Sequence, residues 1–405
     1  MYPDRLYELA FAFRKQKLWK TLHDGELFAI TLPNGETGYC SVMGWMGEHL
    51  ALALYVGRLG LDSYRRMQEA GSGGLIPLKV QEELLSQACL QCAFESKDGM
   101  YPQELHAVRG YAAAHGIALR GANAFPQFVA YRPGYCPWPV SDEGDMALLA
   151  AALEAALAVG EMLRRTDKAE LGFQGGPAYG RSVPLLTRCG EGFSWGVQPL
   201  PERQPVRYPE PVLKDELLML RLRKSGKRSG VWVCDVVMLL QAAAEDEVSV
   251  PFFPYTLLAA DCDTGMGLST TAVADYAGGA EELLQALGKQ MLEHGVPRQI
   301  QVVDARTQSL LKNLAAALKI RLVLQSENAL LEELEEDFFN YFDDETQEPT
   351  EEEIEEFYDV LMKLDDDDFL SMPDELWSQL CSLERQGLLE GDVAKRLRGL
   401  SKWRK

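Results

Sequence analysis

The sequence has few of the residues from which hydrolytic triads and zinc sites are built. It contains five histidines, and none lies at a triad or metal-ligand spacing from another. A single Cys-x-x-Cys pair, Cys89 and Cys92, has no second pair to complete a zinc site. We therefore expect buried structural cysteines. A helix is predicted at 80–90, and on a helix the spacing of Cys89 and Cys92 would put both thiols on one face.

Secretory and membrane signals are also missing. The first five residues lack the basic start and apolar core of a signal peptide. The longest apolar run, Met146–Leu163, is rich in alanine and contains Glu154 and Glu161, which favours a core helix over a membrane span. Eight scattered cysteines are typical of a reducing compartment, so we expect a cytoplasmic protein without a membrane partner.

The negative charge of the chain is confined to one segment. Between Glu327 and Glu375 there are 22 Asp and Glu against one basic residue, Lys363. This segment accounts for the formal net charge of −21, and the rest of the chain is neutral. Because the remainder is neutral and not basic, its charge does not favour nucleic-acid binding.

The pattern of hairpin and helix signals in the first half predicts an α+β domain over residues 1–198. Asn34-Gly35 between two alternating segments predicts a β-hairpin, and longer periodic stretches predict helices, including one at Asp142–Arg165. Five prolines from Pro199 to Pro211 predict a linker at 199–212. We expect an α/β domain at 213–342 and an acidic helical extension at 343–405.

Between Val231 and Gln325 the pattern changes to that of an α/β unit. Three strand segments follow one another, then a helix, a strand, a helix and a strand, and a last amphipathic helix begins at Ser326. The turn Asp263-Thr264-Gly265 predicts a hairpin between the second and third strands. The predicted order is β-β-β-α-β-α-β-α.

This order, with one aspartate in the first strand and another closing the fourth, resembles the ribonuclease H-like fold. It is most similar to the integrase/transposase catalytic core, and the matching features are Trp232 and Asp235, the hairpin LLAADCDTG, and Asp304. The resemblance covers about a quarter of the chain. The two-domain arrangement also resembles proteins of Gram-positive bacteria whose halves are domains of unknown function.

The resemblance implies a site for Mg²⁺ or Mn²⁺. In such cores two aspartates on adjacent strands and a glutamate from the last helix bind two divalent ions, which implies Asp235 and Asp304 as ligands. The third carboxylate comes from a set of glutamates, of which helix position favours Glu327 and Glu333: Glu327, Glu332, Glu333 and Glu336. Asp261 and Asp263 could add ligands. Structural alternatives stay open: Asp304 could cap a helix, and Asp261 and Asp263 could form only a hairpin turn.

Two functions are compatible with these observations. The first is a ribonuclease H-like domain used as a non-catalytic binding or scaffolding module. The alternative is a divalent-metal-dependent nuclease or integrase-like enzyme that cleaves phosphodiesters. Few bases lie near the acids in sequence. Lys224, Lys227 and Arg228 cluster nearby, and Arg298 and Arg306 flank the fourth strand, and this modest supply favours the binding module. We assign no catalytic residue and no organic cofactor, and both a protein partner and a nucleic acid stay open.

Overall fold

The computed structural model describes residues 2–47, 49–71, 77–173, 182–190, 192–244, 246, 249–268 and 271–346, together with residues 377, 380, 395, 396 and 400. Within these residues the chain forms two β-sheets, each with its own hydrophobic core. It is a mixed α/β protein, with an N-terminal sheet domain and a C-terminal α/β domain.

The N-terminal domain is built on one eight-stranded sheet. Its helices are α1 (Asp4–Gln16), α2 (Gly57–Gly71), α3 (Pro77–Leu85), α4 (Pro102–Ala114) and α5 (Glu143–Leu163). Its strands are β1 (Phe28–Thr31), β2 (Thr37–Met43), β3 (Leu50–Val56), β4 (Cys89–Glu95), β5 (Phe125–Tyr131), β6 (Trp138–Pro139), β7 (Ser182–Cys189) and β8 (Gly192–Pro199). The strand order is β6-β5-β4-β3-β2-β1-β7-β8, and only the β1–β7 pair is parallel.

The prediction of a helix at 80–90 is wrong at its C-terminal end. Helix α3 stops at Leu85, and the Cys-x-x-Cys pair lies on strand β4. Residues three apart on a strand point to opposite faces, so Cys89 packs with Tyr55 while Cys92 enters the main core. Both thiols are buried as predicted, and burial raises the pKa of Cys89 to about 12.

Among the described residues one helix, α5, is long and apolar enough to cross a membrane. Its buried residues, including Leu149, Leu153 and Val159, pack into the N-terminal core beside α1. Its N-terminus is capped by Asp142, whose side chain accepts a hydrogen bond from the Asp145 backbone N–H at 3.0 Å. This packing is that of a core helix.

The C-terminal α/β domain contains a five-stranded sheet. Its elements in chain order are α6 (Glu216–Lys224), β9 (Arg228–Met238), β10 (Tyr255–Asp261), β11 (Ala272–Val273), α7 (Tyr276–His294), β12 (Val296–Val302), α8 (Ala305–Leu318), β13 (Arg321–Leu324) and α9 (Ala329–Thr346). The sheet order is β11-β10-β9-β12-β13. Strands β9, β10 and β11 are antiparallel neighbours, whereas β12 and β13 run parallel to β9.

The two faces of this sheet are covered by different helices. Alternate residues of β9, such as Trp232 and Cys234, pack in one core with the buried sides of α6, α7 and α8. Val233, on the opposite face, packs with Ala260 and with Leu331 of α9. Because side chains alternate along a strand, Asp235 lies on the face that α9 covers.

Both sheets belong to one compact unit, Met1–Asn340. Residues 200–215, which include all of the predicted linker except Pro199, form neither helix nor strand, and Pro199 ends β8. The predicted acidic extension at 343–405 lies outside the described residues apart from the end of α9 and five single positions.

Candidate functional site

Asp235 is a fully buried carboxylate in the middle strand of the C-terminal sheet. Its Oδ1 accepts a hydrogen bond of 2.7 Å from the Thr307 hydroxyl. The same hydroxyl oxygen accepts a hydrogen bond of 2.9 Å from the Val236 backbone N–H. Thr307 is itself fully buried, so these bonds fix the orientation of the Asp235 carboxylate.

Asp304 follows β12 and caps helix α8. Its Oδ1 accepts a hydrogen bond of 2.6 Å from the Thr307 backbone N–H. Thr307 therefore contacts both aspartates, one through its hydroxyl and the other through its backbone. The capping role considered as a structural alternative is present, and it also places Asp304 beside Asp235.

The third carboxylate near these aspartates is Glu335 of α9. It is only 3% exposed, and its Oε1 has no hydrogen-bond partner. It lies one helical turn after Leu331, which packs on Val233, so Glu335 shares the inward face of the helix. We call Asp235, Asp304 and Glu335 the carboxylate cluster.

The structure does not bring the two predicted glutamates to this cluster. Glu327 precedes α9, which begins at Ala329, and is exposed. Glu333 is within the helix but points to solvent, since it lies two residues from the buried Leu331. Because both predicted glutamates are exposed, the α9 carboxylate that faces Asp235 is Glu335.

A lysine from the N-terminal domain lies among the three acids. The Lys79 ammonium of α3 forms an ion pair and hydrogen bond with Asp235 Oδ2. It is 4.0 Å from Asp304 Oδ2 and 4.0 Å from Glu335 Oε1. The Lys79 side chain is 17% exposed, so the ion pair is mostly shielded from water.

The charges of this group are mutually dependent. Burial would lower the pKa of Lys79, but the carboxylates of Asp235, Glu82 and Glu335 raise it overall. Burial would raise the pKa of Asp235, whereas Lys79, together with a hydrogen bond from Glu335, lowers it. Burial and the Asp235 charge raise the pKa of Asp304.

Glu335 carries the proton of the cluster at neutral pH. Burial and its hydrogen bond to Asp235 raise its pKa to about 9. A protonated Glu335 donates this hydrogen bond to the ionised Asp235. Lys79 and the Glu335 proton together stabilise the buried negative charge on Asp235.

A second buried ion pair lies next to the cluster. Both terminal nitrogens of Arg306, in the first turn of α8, bind the two carboxylate oxygens of Glu82 from α3, with Nη2 at 3.1 Å from Oε2. Arg306 also donates to the Val236 carbonyl oxygen, and Nη2 is 3.7 Å from Asp304 Oδ2. Helix α3 therefore contributes one cation and one anion, at positions 79 and 82, one helical turn apart.

These residues do not fit a divalent ion in the arrangement observed. Metal-ligating carboxylates must be deprotonated, whereas Glu335 is held protonated. The Asp235 oxygen that would face a cation already contacts the Lys79 ammonium. Among the described residues no group of three or more His, Cys, Asp or Glu could hold a metal ion.

Asp261 and Asp263 were the other acids considered as ligands. Asp261 ends β10, and Asp263 lies in the turn that follows it. Asp261 Oδ1 accepts hydrogen bonds from the backbone N–H groups of Asp263 at 2.9 Å and Thr264 at 3.2 Å. Its Oδ2 accepts a hydrogen bond of 3.1 Å from the Trp232 indole. The structure thus uses Asp261 as a turn residue, with Gly265 at φ 68°.

One further sequence motif matches a hydrolase signature. Gly192-Phe-Ser-Trp-Gly196 has the Gly-x-Ser-x-Gly pattern of a nucleophile elbow, which requires a sharp strand-to-helix turn. Here it lies within strand β8 at the edge of the sheet, and Ser194 donates a 3.2 Å hydrogen bond to the Thr187 carbonyl oxygen. This context is that of a hairpin strand and gives no support to a serine hydrolase.

Sequence reasoning missed four of the residues that close the site, which are Lys79, Glu82, Thr307 and Glu335, and named Arg306 only as a base beside the fourth strand. The sequence could have identified Glu335 as an inward-facing residue, because it follows Leu331 by one turn on the apolar stripe of α9. Lys79 and Glu82 had no such signal, because they lie 156 and 224 residues from their partners Asp235 and Arg306.

Two family models match the chain, one in each half. Residues 4–181 match a family described as Domain of unknown function (DUF7309). Residues 218–339 match a second, described as Domain of unknown function (DUF6930). A comparison with curated proteins finds no match. The chain therefore contains two domains of unknown function, and the contacts of Lys79 and Glu82 join one to the other.

Proposed function

We propose that the C-terminal domain has a ribonuclease H-like fold and acts as a non-catalytic binding or scaffolding module. The strand order β11-β10-β9-β12-β13 supports this proposal, as do the directions of its strands and an aspartate in the middle strand. Common folds are often reused without their original chemistry. The cysteines of the described residues are free thiols, which supports a cytoplasmic location.

The observation that carries the proposal is the position of the Lys79 ammonium. It contacts Asp235 and lies within 4.0 Å of both other acids of the carboxylate cluster. A lysine cannot polarise a phosphodiester as two divalent ions do, and here it belongs to the other domain. The cluster therefore serves to hold α3 against the α/β domain.

The Arg306–Glu82 pair strengthens this connection. Both side chains are 11% exposed, and the guanidinium binds the carboxylate through two nitrogens. Removing one partner of such a buried pair leaves an uncompensated charge, which is strongly destabilising. The two ion pairs of α3 therefore favour a fixed arrangement of the two domains, as a scaffolding module requires.

A divalent-metal-dependent phosphodiester-cleaving enzyme is the second candidate. The convergence of Asp235, Asp304 and Glu335 on one end of the sheet favours it, and so does the unpartnered Oε1 of Glu335. This function would require Lys79 to leave Asp235 and Glu335 to lose its proton. It thus depends on a second arrangement of α3.

Calorimetric titration with Mn²⁺ and Mg²⁺ distinguishes the two functions. We expect no micromolar binding by the wild-type protein and no difference between it and Asp304→Asn. Asn preserves the helix cap, so this variant changes charge without removing the cap. Asp263→Asn, in the exposed hairpin turn, is the matched control for a lost carboxylate.

Cleavage assays on single- and double-stranded DNA and RNA complete the test. Micromolar metal binding by the wild type that disappears in Asp304→Asn but persists in Asp263→Asn would favour the enzyme. Cleavage with the same dependence would replace the scaffolding proposal.

A further inference from the structure

The outer face of helix α6 combines apolar and basic side chains. Leu217 and Leu220 are 68% and 48% exposed, and Arg221 and Lys224 are also exposed. These positions are spaced i, i+3, i+4 and i+7, so they form one stripe along the helix. The opposite side of α6 is buried, because Leu218 and Leu222 pack against α7 at Gly288.

Two further exposed bases lie near the starts of β9 and β12. Arg228 is the first residue of β9, and it pairs in register with Val296 of β12. Arg298, two residues later, shares the face of Val296, so both arginines lie on the sheet face that α6 to α8 cover. Both are exposed, and within the described part of the chain no ion pair joins either of them to an acid.

The acids near this surface include Asp263, whose carboxylate lies against Gly230 of β9, two residues from Arg228. Two others lie at the start of α6. Asp215 is the N-cap of α6 and accepts a hydrogen bond of 2.8 Å from the Leu218 backbone N–H. Glu216 occupies the first helical turn, at the end of α6 away from Lys224. The last turn contains only basic charges, at Arg221, Arg223 and Lys224. The stripe is therefore apolar at its start and increasingly basic toward the sheet.

We propose that this α6 surface, formed by Leu217, Leu220, Arg221, Lys224, Arg228 and Arg298, docks an acidic amphipathic helix of a partner protein. Apolar side chains at i, i+3 and i+4 of the partner would cover the two leucines. Carboxylates flanking them would face the four bases, which gives charge complementarity and orientation.

The exposed leucines favour a helix over other polyanions. Phosphate backbones are bound by bases and polar groups and gain little from apolar side chains. Binding of single strands relies on aromatic side chains, and the α6 surface has none. An anionic membrane could use leucines and bases, but membrane-binding faces are typically longer than a nine-residue helix.

This inference names a partner class for the proposed binding module and rests on that proposal, but the two can fail separately. The α6 surface lies at the N-terminal ends of β9 and β12, whereas the carboxylate cluster lies toward their C-terminal ends. Variants of the cluster leave the α6 residues unchanged, and variants of α6 leave Lys79 and Asp235 unchanged.

The test uses the full-length protein and a fluorescent synthetic peptide of about 18 residues. The peptide has leucine at helical i, i+3, i+4 and i+7 positions and glutamate elsewhere. Fluorescence anisotropy is measured for the wild type, Leu217→Ala/Leu220→Ala and Arg221→Glu/Lys224→Glu. We expect saturable binding by the wild type and a weakening of about tenfold or more in each double variant.

Probes that lack one feature identify the source of binding. Polyglutamate of equal charge, a DNA duplex and vesicles with anionic lipid should bind at least tenfold more weakly than the peptide. Equal binding of the peptide by the leucine variant would overturn the proposal, as would tighter binding of DNA or vesicles. The control is Lys312→Glu, which reverses the charge of an exposed residue on α8, and it should leave peptide affinity unchanged.

Discussion

Replacing Lys79 by methionine should destabilise the protein by about 3 kcal/mol. The variant removes the cation that contacts Asp235, a carboxylate with 0% exposure. Breaking a buried pair by removing one partner typically costs about 3–5 kcal/mol. Asp235 keeps its 2.7 Å hydrogen bond from Thr307, and methionine retains much of the packing of the lysine stem, so we expect the lower end of that range.

Urea unfolding measures this effect directly. Tryptophan fluorescence reports on the seven tryptophans, among them Trp232, which is fully buried in β9 three residues from Asp235. Circular dichroism follows the whole chain. Adding Asp235→Asn to Lys79→Met removes the uncompensated charge and should recover about 2 kcal/mol of the loss. Lys312→Met, which breaks an exposed pair with Glu210, should cost less than about 1 kcal/mol.

Two results would refute this reasoning. One is a Lys79→Met protein within about 0.5 kcal/mol of the wild type, which is the usual range for surface substitutions. The other is a double variant no more stable than Lys79→Met. Either would mean that Lys79 does not compensate the Asp235 charge.

Three further predictions concern the neighbouring residues. Arg306→Met should cost about 3–5 kcal/mol in urea unfolding, because it leaves Glu82 buried without its cation. Glu335→Gln should change the pH dependence of stability. The folded pKa of Glu335 is about 9 against an ordinary 4.5, so its stabilising contribution falls as pH rises from about 4.5 to about 9. Glutamine keeps a donor and cannot titrate, so the variant should gain stability relative to the wild type between pH 6 and pH 9, measured by thermal unfolding. Asp304→Ala should cost about 1 kcal/mol by removing the α8 cap, whereas Asp304→Asn should cost only a few tenths in the same assay.

Each of these three predictions would be contradicted by a specific outcome. An Arg306→Met protein as stable as the wild type would place the Glu82 carboxylate in water. A stability difference for Glu335→Gln that is constant with pH would mean that Glu335 titrates normally in the folded protein. Equal losses for the two Asp304 variants would assign that side chain a role other than capping.

The order of elements in the C-terminal half was predictable because each has a strong local signal. Leu283, Leu287 and Met291 recur at helical spacing in α7, and all three are buried. The β9–β10 pairing and the turn at Asp263 follow from alternation and turn chemistry. In the N-terminal half, the Asn34-Gly35 turn predicted the β1–β2 hairpin, and Gly35 has φ 85°.

The errors arose where local signals were weak or where contacts are long range. Strand β4 was missed because CLQCAFE is short and apolar, and such segments do not distinguish a strand from a buried helix. Glu335 was passed over because Glu327 was assigned to a helix predicted to begin at Ser326, whereas α9 begins at Ala329 and leaves Glu327 outside it. The Lys79 contact was not predictable, since no periodicity relates residues in separate domains.

Anomalous diffraction from crystals grown with Mn²⁺ tests the central claim most directly, because it locates both the lysine and any metal ion. We predict no anomalous peak at the carboxylate cluster and a Lys79 ammonium in contact with Asp235, as observed here. A Mn²⁺ peak among Asp235, Asp304 and Glu335, with Lys79 displaced from all three, would contradict the account and make the cluster a metal site.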